Sequence, residues 1–250
     1  MLAVIVVGDN AASAAYVKGK QKDCEECGIA FKLFKFAEAT TSEALVDAIR
    51  SLNNNDLVDG IIVQLPLPTH INSMTVLQAI SPAKDVDCFC TDNVGRLVID
   101  GPRFLPCTPL GVIDMLHYYN IDVAGKDCVV IGRSNIVGKP MAAMLTSLDA
   151  TVTLCHSQTK NIAKRTTEAD IVVCAVGKPK FLTADMVKEN AIIIDVGINR
   201  GQNGKMCGDV DFDAVSRKVS AITPVPGGVG LMTRAALLKN VVTAYYTRRI

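Results

Sequence analysis

Neither sign of charge dominates this 250-residue sequence: 26 lysines and arginines face 25 aspartates and glutamates, leaving +1 at pH 7. The global field that draws in nucleic acid or an anionic membrane is therefore missing, and any anionic ligand has to be held by local groups. Long apolar runs are missing too. Met1–Val7 and Ala191–Ile194 fall far below the ~18 residues of a membrane span, and no charged segment introduces a cleavable leader. The expected setting is the cytoplasm or a similarly reducing compartment, with no nucleic-acid or membrane partner. Internal repeats and low-complexity stretches are absent as well.

The nine cysteines form an odd, scattered set, and Cys128, Cys155 and Cys174 lie inside apolar runs. That pattern reads as reduced core thiols rather than a disulfide framework. Cys24 and Cys27 have metal-like spacing, but neither a second CxxC nor a nearby histidine completes four ligands, so no metal site is expected.

What the sequence does contain is 49% hydrophobic residues, enough to bury a large core in one or two domains. Short β-branched runs alternate with helical patterns throughout, which predicts an α/β fold around parallel sheets. Strands are predicted at Leu2–Val7, Ala30–Phe36 and Gly60–Leu65. Helices are predicted over Ser13–Cys27 and after Thr40, where Thr40-x-x-Glu43 offers a capping box. A second series opens with a helix from Thr108 through His117, followed by strands at Asp127–Ile131, Thr151–Cys155, Ile171–Ala175 and Ala191–Val196. The segment from Thr223 to Gly230 carries two prolines and three glycines and is read as a functional loop leading to a last helix, Thr233–Arg248.

In Cys128-Val129-Val130-Ile131-Gly132-Arg133-Ser134, continuing through Gly138 to Pro140, a buried strand meets a glycine turn and then a helix. That order aims helix N–H groups at a pyrophosphate, although a plain strand-to-helix turn reads the same way. NAD sites commonly place a carboxylate after the next strand. Here that position holds His156, Ser157 and Gln158. Arg133 and Ser157 suit a 2′-phosphate, so the residues favour NADP. His156 reads as a strand-end histidine contacting backbone.

Tyr16 and Lys20 stand one turn apart on the first helix, sharing a face near the carboxyl edge of the first strand; spacing alone equally describes an amphipathic surface. Gln64-Leu65-Pro66-Leu67-Pro68 closes a strand where ligands of open α/β sheets collect. Lys84-Asp85-Val86-Asp87 adds two carboxylates. Taken alone, Gln64 reads as a turn cap and the aspartates as solvated surface.

Together with Pro106-Cys107-Thr108-Pro109, Gly132-Arg133-Ser134 and Thr223-Pro224-Val225-Pro226-Gly227-Gly228-Val229-Gly230, these segments resemble the bifunctional methylenetetrahydrofolate dehydrogenase/methenyltetrahydrofolate cyclohydrolase family in order and spacing, over essentially the whole chain. The most specific pieces are the Tyr-Val-x-x-Lys helix, the Val-Gln-Leu-Pro-Leu-Pro turn and the Pro-Gly-Gly-Val-Gly loop.

The resemblance implies a folate substrate domain built from residues 1–108 and 228–250, with a Rossmann-like NADP domain, 109–227, inserted between them and folate in the cleft. It implies catalytic roles for Lys20, Tyr16 and Gln64, and folate contacts from Tyr16, Gln64, Asp87, Pro226, Gly227 and Gly228. Asp87 would anchor the pterin. NADP contacts would come from Thr108, Gly132, Arg133, Ser134, Val137, Gly138, Ser157, Gly177 and Ile198. The implied chemistry is hydride transfer from the methylene carbon of 5,10-methylenetetrahydrofolate to the nicotinamide, then water attack on the methenyl cation to give 10-formyltetrahydrofolate. A desolvated amine can move the proton.

The implied setting is cytoplasmic one-carbon metabolism feeding purine biosynthesis, with the chain as a homodimer. Three departures accompany the resemblance. The family's helix ahead of the first strand is absent, so the substrate domain is expected to lack that cover. Cys88 stands where the family has glycine, and Leu231 where it has proline. Other readings are a dehydrogenase that has lost hydrolysis, a folate- or nucleotide-binding protein without turnover, and a Rossmann dehydrogenase acting on an amino or hydroxy acid. The last leaves Tyr16, Lys20 and Gln64 unexplained.

Overall fold

The computed structural model describes residues 1–99, 101–201 and 204–249, with Ala11 and Ala12 as backbone only. The chain divides into two compact units, Met1–Cys107 with Arg234–Ile250, and Thr108–Thr233.

The first unit holds β1 (Leu2–Val7), α1 (Ala11–Glu26), β2 (Phe31–Phe36), α2 (Ser42–Asn53), β3 (Gly60–Val63), α3 (Ser73–Gln78) and α4 (Thr91–Ile99). Its three strands are parallel in the order β2-β1-β3, with Leu2 beside both Phe31 and Gly60. β1 is an almost unbroken buried apolar run, as a central parallel strand should be. β2 lies at an edge and exposes Lys32 and Lys35, charges that discourage pairing with another chain. Ala3, Ile5, Leu45, Ile49, Ile61 and Val76 build the core. The start of α2 corrects the expected capping box. Thr40 belongs to the turn leaving β2, its N–H donating to Ala37 O, and Thr41 is the cap, its Oγ1 accepting from the Ala44 N–H at 3.3 Å.

The second unit begins with α5 (Cys107–Tyr118), whose first residue still belongs to the first unit, and continues through β4 (Asp127–Ile131), α6 (Gly138–Ser147), β5 (Thr151–Cys155), α7 (Ile162–Thr166), β6 (Ile171–Cys174) and β7 (Ile192–Asp195). A short antiparallel pair, β8 (Asn199–Arg200) and β9 (Met206–Cys207), then α8 (Phe212–Val215), β10 (Ala221–Ile222) and α9 (Val229–Arg249) complete the chain. Strand order in the main sheet is β10-β7-β6-β4-β5, all parallel. The chain leaves β4 to one side for β5 and returns past it to β6. The carboxyl end of β4 is therefore the topological switch point, the place where open α/β sheets take ligands.

α9 starts earlier than the breaker-rich sequence predicts, at Val229 instead of Thr233. The positive φ of +105° falls on Gly227, and Gly230 sits in the first turn, where the helix is least sensitive to glycine. β8, β9 and β10 are two-residue strands, too short to leave a period in the sequence.

Candidate functional site

In the first unit, α1 and the loops after β3 bring four of the expected residues together. Lys20, only 7% exposed, points its Nζ at Gln64 Oε1, 3.1 Å away. Gln64 follows β3 directly. Its backbone N–H donates to Ile5 O at 2.9 Å and its Nε2 donates to Leu65 O at 2.9 Å, so the amide oxygen is left turned to the amine. Asp87 is partly buried. Burial pushes its carboxyl pKa up, Lys20 and a hydrogen bond from the Cys107 thiol act against that rise, and Asp85 adds to it. Burial also raises the Tyr16 phenol, with Arg234 lowering and Asp87 raising it. An amine, an amide, a phenol and a carboxylate thus share one electrostatic neighbourhood.

The two carboxylates of Lys84-Asp85-Val86-Asp87 have different fates. Asp85 is buried, its Oδ2 accepting from the N–H groups of Phe89 and Cys90 at 2.8 Å each and from Asn93 Nδ2 at 3.0 Å. Lys84 is buried as well, donating to the carbonyls of Leu52, Asn53 and Asn55 at the end of α2. Both are structural, which corrects the solvated-surface reading of the segment.

Sequence reasoning missed the supports of Asp87. Asn240 on α9 donates through Nδ2 to Val86 O and Leu105 O at 2.8 Å each, and lies 3.6 Å from Cys107 Sγ. Burial and the neighbouring Asp87 hold the Cys107 thiol well above its usual range. Arg234 pairs with Asp23 at 2.9 Å and lies across Gly19, where a Cβ would meet its guanidinium at 2.0 Å. Only the glycine between Lys18 and Lys20 hinted at that close approach.

In the second unit, the expected cofactor residues line the carboxyl ends of neighbouring strands. Gly132, Arg133 and Ser134 follow β4, Ser157 follows β5, Gly177 follows β6 and Ile198 follows β7. Gly132 has φ +119°, and a Cβ there would meet Ala175 O at 2.1 Å; a Cβ on Gly138 would meet Gly132 O at 1.9 Å. The two turns and the start of α6 pack backbone to backbone, a bare surface suited to close approach by a dinucleotide. Ser134 Oγ accepts from the N–H groups of Val137 and Gly138 at 3.1 and 3.3 Å, bracing the turn that leads into α6. Arg133 and Ser157 are exposed, and no carboxylate stands among His156, Ser157 and Gln158. That set fits a 2′-phosphate better than a 2′-hydroxyl.

His156 Nδ1 accepts from the Gln158 N–H at 3.2 Å, in keeping with the strand-end reading. Thr108 and Thr233 join through their hydroxyls at 3.1 Å. Pro226, Gly227 and Gly228 form the turn into α9. No group of three or more metal-ligating side chains occurs among the described residues.

Residues 1–87 match the family model of the tetrahydrofolate dehydrogenase/cyclohydrolase catalytic domain, and residues 106–249 that of the NAD(P)-binding domain. The chain is 56% identical over 247 residues to the bifunctional protein FolD of Campylobacter hominis, covering 99% of this chain and 87% of that protein. The crystal structure of the bifunctional FolD enzyme from Campylobacter jejuni superposes with a TM-score of 0.95 at 53% identity, covering 99% of this chain and 88% of that one. The Trypanosoma brucei enzyme, solved with NADP and an inhibitor, gives 0.94 at 38% identity over 100% of this chain and 88% of its own. The chain belongs to the tetrahydrofolate dehydrogenase/cyclohydrolase family.

Proposed function

We propose that this protein is a bifunctional enzyme that oxidises 5,10-methylenetetrahydrofolate to the 5,10-methenyl form with NADP and hydrolyses that product to 10-formyltetrahydrofolate. The observation that carries the reading is the buried Lys20 amine held 3.1 Å from Gln64 Oε1, with Asp87 in the field of that amine and Tyr16 in the field of Asp87. When bound, NADP supplies the hydride acceptor. Hydrolysis then adds water to the methenyl carbon; the added water gives up one proton to solvent and the other to the ring nitrogen whose bond to that carbon breaks, and the carbon keeps its hydrogen as the formyl C–H. Lys20 is the group that moves a proton of that water, because it is a buried amine with a single fixed partner. Gln64 accepts from the amine and so keeps it directed. Asp87 accepts hydrogen bonds from the pterin, and Tyr16 covers the ring.

In this reading residues 1–108 and 228–250 act as the folate domain, with Pro226, Gly227 and Gly228 contributing to folate binding. Residues 109–227 hold NADP through Thr108 at the boundary and through Gly132, Arg133, Ser134, Val137, Gly138, Ser157, Gly177 and Ile198. The family resemblance supports the further reading of a cytoplasmic homodimer that supplies formyl groups to purine biosynthesis without nucleic-acid or membrane partners. No described helix is long and apolar enough to cross a membrane.

The test is steady-state turnover of methylenetetrahydrofolate with NADP and NAD in parallel, following methenyl and formyl products. Formation of 10-formyltetrahydrofolate with a preference for NADP is expected. Accumulation of the methenyl compound would leave a dehydrogenase alone, and no turnover would leave a binding protein.

A further inference from the structure

Two buried aspartates at the carboxyl end of the second sheet have no part in the chemistry above. Asp209 is fully buried. Its Oδ2 accepts from the N–H groups of Val176 and Gly177 at 2.6 and 2.9 Å, and its Oδ1 accepts from the Lys178 N–H at 2.9 Å and from Asn199 Nδ2 at 2.8 Å. Three successive N–H groups around a positive-φ glycine, Gly177 at +66°, make a nest of the kind that binds phosphate in other proteins. Here the chain's own carboxylate fills it. Asp195 stands behind, its Oδ1 accepting from the N–H groups of Gly197 and Asp209 and its Oδ2 from that of Val210. The glycines nearby leave room for this packing: a Cβ on Gly197 would meet Asp209 Cγ at 2.2 Å, and one on Gly208 would meet Asp195 Oδ2 at 1.8 Å.

We propose that Asp209 is the positioning residue of the cofactor site, fixing through one carboxylate the turn after β6 that carries Gly177 and the segment after β7 that carries Ile198. The inference rests on the reading of those two residues as NADP contacts. The turn after β6 also abuts Gly132, whose bare Cα faces Ala175 O, so Asp209 sets the spacing between the glycine turns of β4 and β6. Because the nest's N–H groups are spent on Asp209, they are not available to hold a phosphate of the cofactor.

Asp209→Asn keeps the shape but turns an amide NH2, itself a donor, toward N–H donors. It is expected to raise the NADP Kd by calorimetry about tenfold or more, the consequence of losing hydrogen bonds to a charged group. Hydrolysis of methenyltetrahydrofolate supplied directly should stay within about twofold, a split that mere loss of folding would not produce. Gly177→Ala probes the turn itself, since its Cβ would meet nothing within 4 Å yet would strain the positive φ. If Gly177→Ala weakens NADP and a folded Asp209→Asn does not, the positioning role is wrong while the cofactor reading stands. If neither changes the Kd, the cofactor reading of this turn fails as well. If Asp209→Asn does not fold, or loses hydrolysis and NADP binding in parallel, Asn199→Ala decides. That variant removes one donor from the same carboxylate, and an NADP Kd raised a few-fold supports the role, whereas an unchanged Kd overturns it.

Discussion

Replacing Lys20 by methionine removes a single charge and its hydrogen bond while keeping an unbranched side chain of similar length. The site is 7% exposed, so an apolar end is tolerated there and the fold should survive. Two things are lost. Gln64 Oε1 loses its donor at 3.1 Å, and Asp87 loses the cation that acts against its burial, so its carboxyl rises further and is less often ionised. General acid–base catalysis by a positioned group is worth roughly 10²–10⁴-fold, which at 1.36 kcal/mol per decade is about 2.7–5.5 kcal/mol. Hydrolysis of methenyltetrahydrofolate, followed by the decay of its absorbance, should therefore fall by at least about a hundredfold.

The hydride step moves no proton at the methylene carbon, so dehydrogenase activity should fall less, through poorer folate placement alone. NADP affinity by calorimetry should be unchanged, because the cofactor residues belong to other elements. Undiminished hydrolysis would refute the assignment of Lys20. A parallel loss of hydrolysis and NADP binding would point to unfolding and refute the reasoning that methionine fits.

Arg133→Ala should weaken NADP roughly tenfold to a hundredfold, since a charge-assisted bond contributes ~1.5–3 kcal/mol, and should barely touch NAD; equal losses for both cofactors in paired titrations would remove the 2′-phosphate role. Asp87→Ala should raise the folate KM and lower both activities by similar factors, on the order of 2–4 kcal/mol in each kcat/KM, and loss of only one reaction would argue against an anchor. Because burial raises the Asp87 carboxyl, its useful anionic form disappears as pH falls through a range above that of ordinary carboxylates. Folate KM should rise on that acid limb in the wild type and be flat there in Asp87→Ala. Native thiol titration near pH 8 should find Cys27 and Cys207 quickly, being exposed and half-exposed. Burial pushes Cys24 up to about 11 and Cys90 and Cys128 to about 12, so rapid reaction of more than two thiols would contradict the packing.

The sheets were legible because their central strands are apolar and largely buried on both faces: the stretches at 2–7 and 127–131 match β1 and β4 to the residue, and the β-branched edge stretch at 151–155 matches β5 although it is mostly half-buried. Spacing alone did not pair Lys20 with Gln64; only the family resemblance gave them a shared role, and α1 and the residue after β3 bring them within hydrogen-bond distance. What stayed hidden depends on contacts between distant parts of the chain. Asn240 reaches Val86 across 154 positions, and no local period announces a helix amide that braces a loop so far away. Asp195 and Asp209 read as ordinary acidic residues until the surrounding N–H groups converge on them. At Thr41 the error was one residue, because the sequence does not show that the Thr40 N–H is already used by the preceding turn.

The two residues read from the sequence as departures from the family pattern, Leu231 and Cys88, are both accommodated by neighbouring bonds. Leu231 lies in the first turn of α9, where a proline would also fit, and its N–H donates to Gly228 O at 3.1 Å, a bond that proline lacks. Cys88 is the harder case. Its φ is +62°, a conformation that costs an L-residue roughly 1–2 kcal/mol and glycine almost nothing. Against that cost, the side chain is fully buried and its thiol donates to Phe104 O at 3.3 Å, and burying one methylene-sized group contributes ~0.8 kcal/mol. The opposing effects are of similar size, so residue 88 does not decide the shape of the loop. Asp85 does, by accepting from the Phe89 and Cys90 N–H groups on one side of Asp87, while Asn240 holds Val86 on the other. Asp87 therefore projects from a segment pinned at both ends, and a cysteine beside it leaves the carboxylate within the field of Lys20.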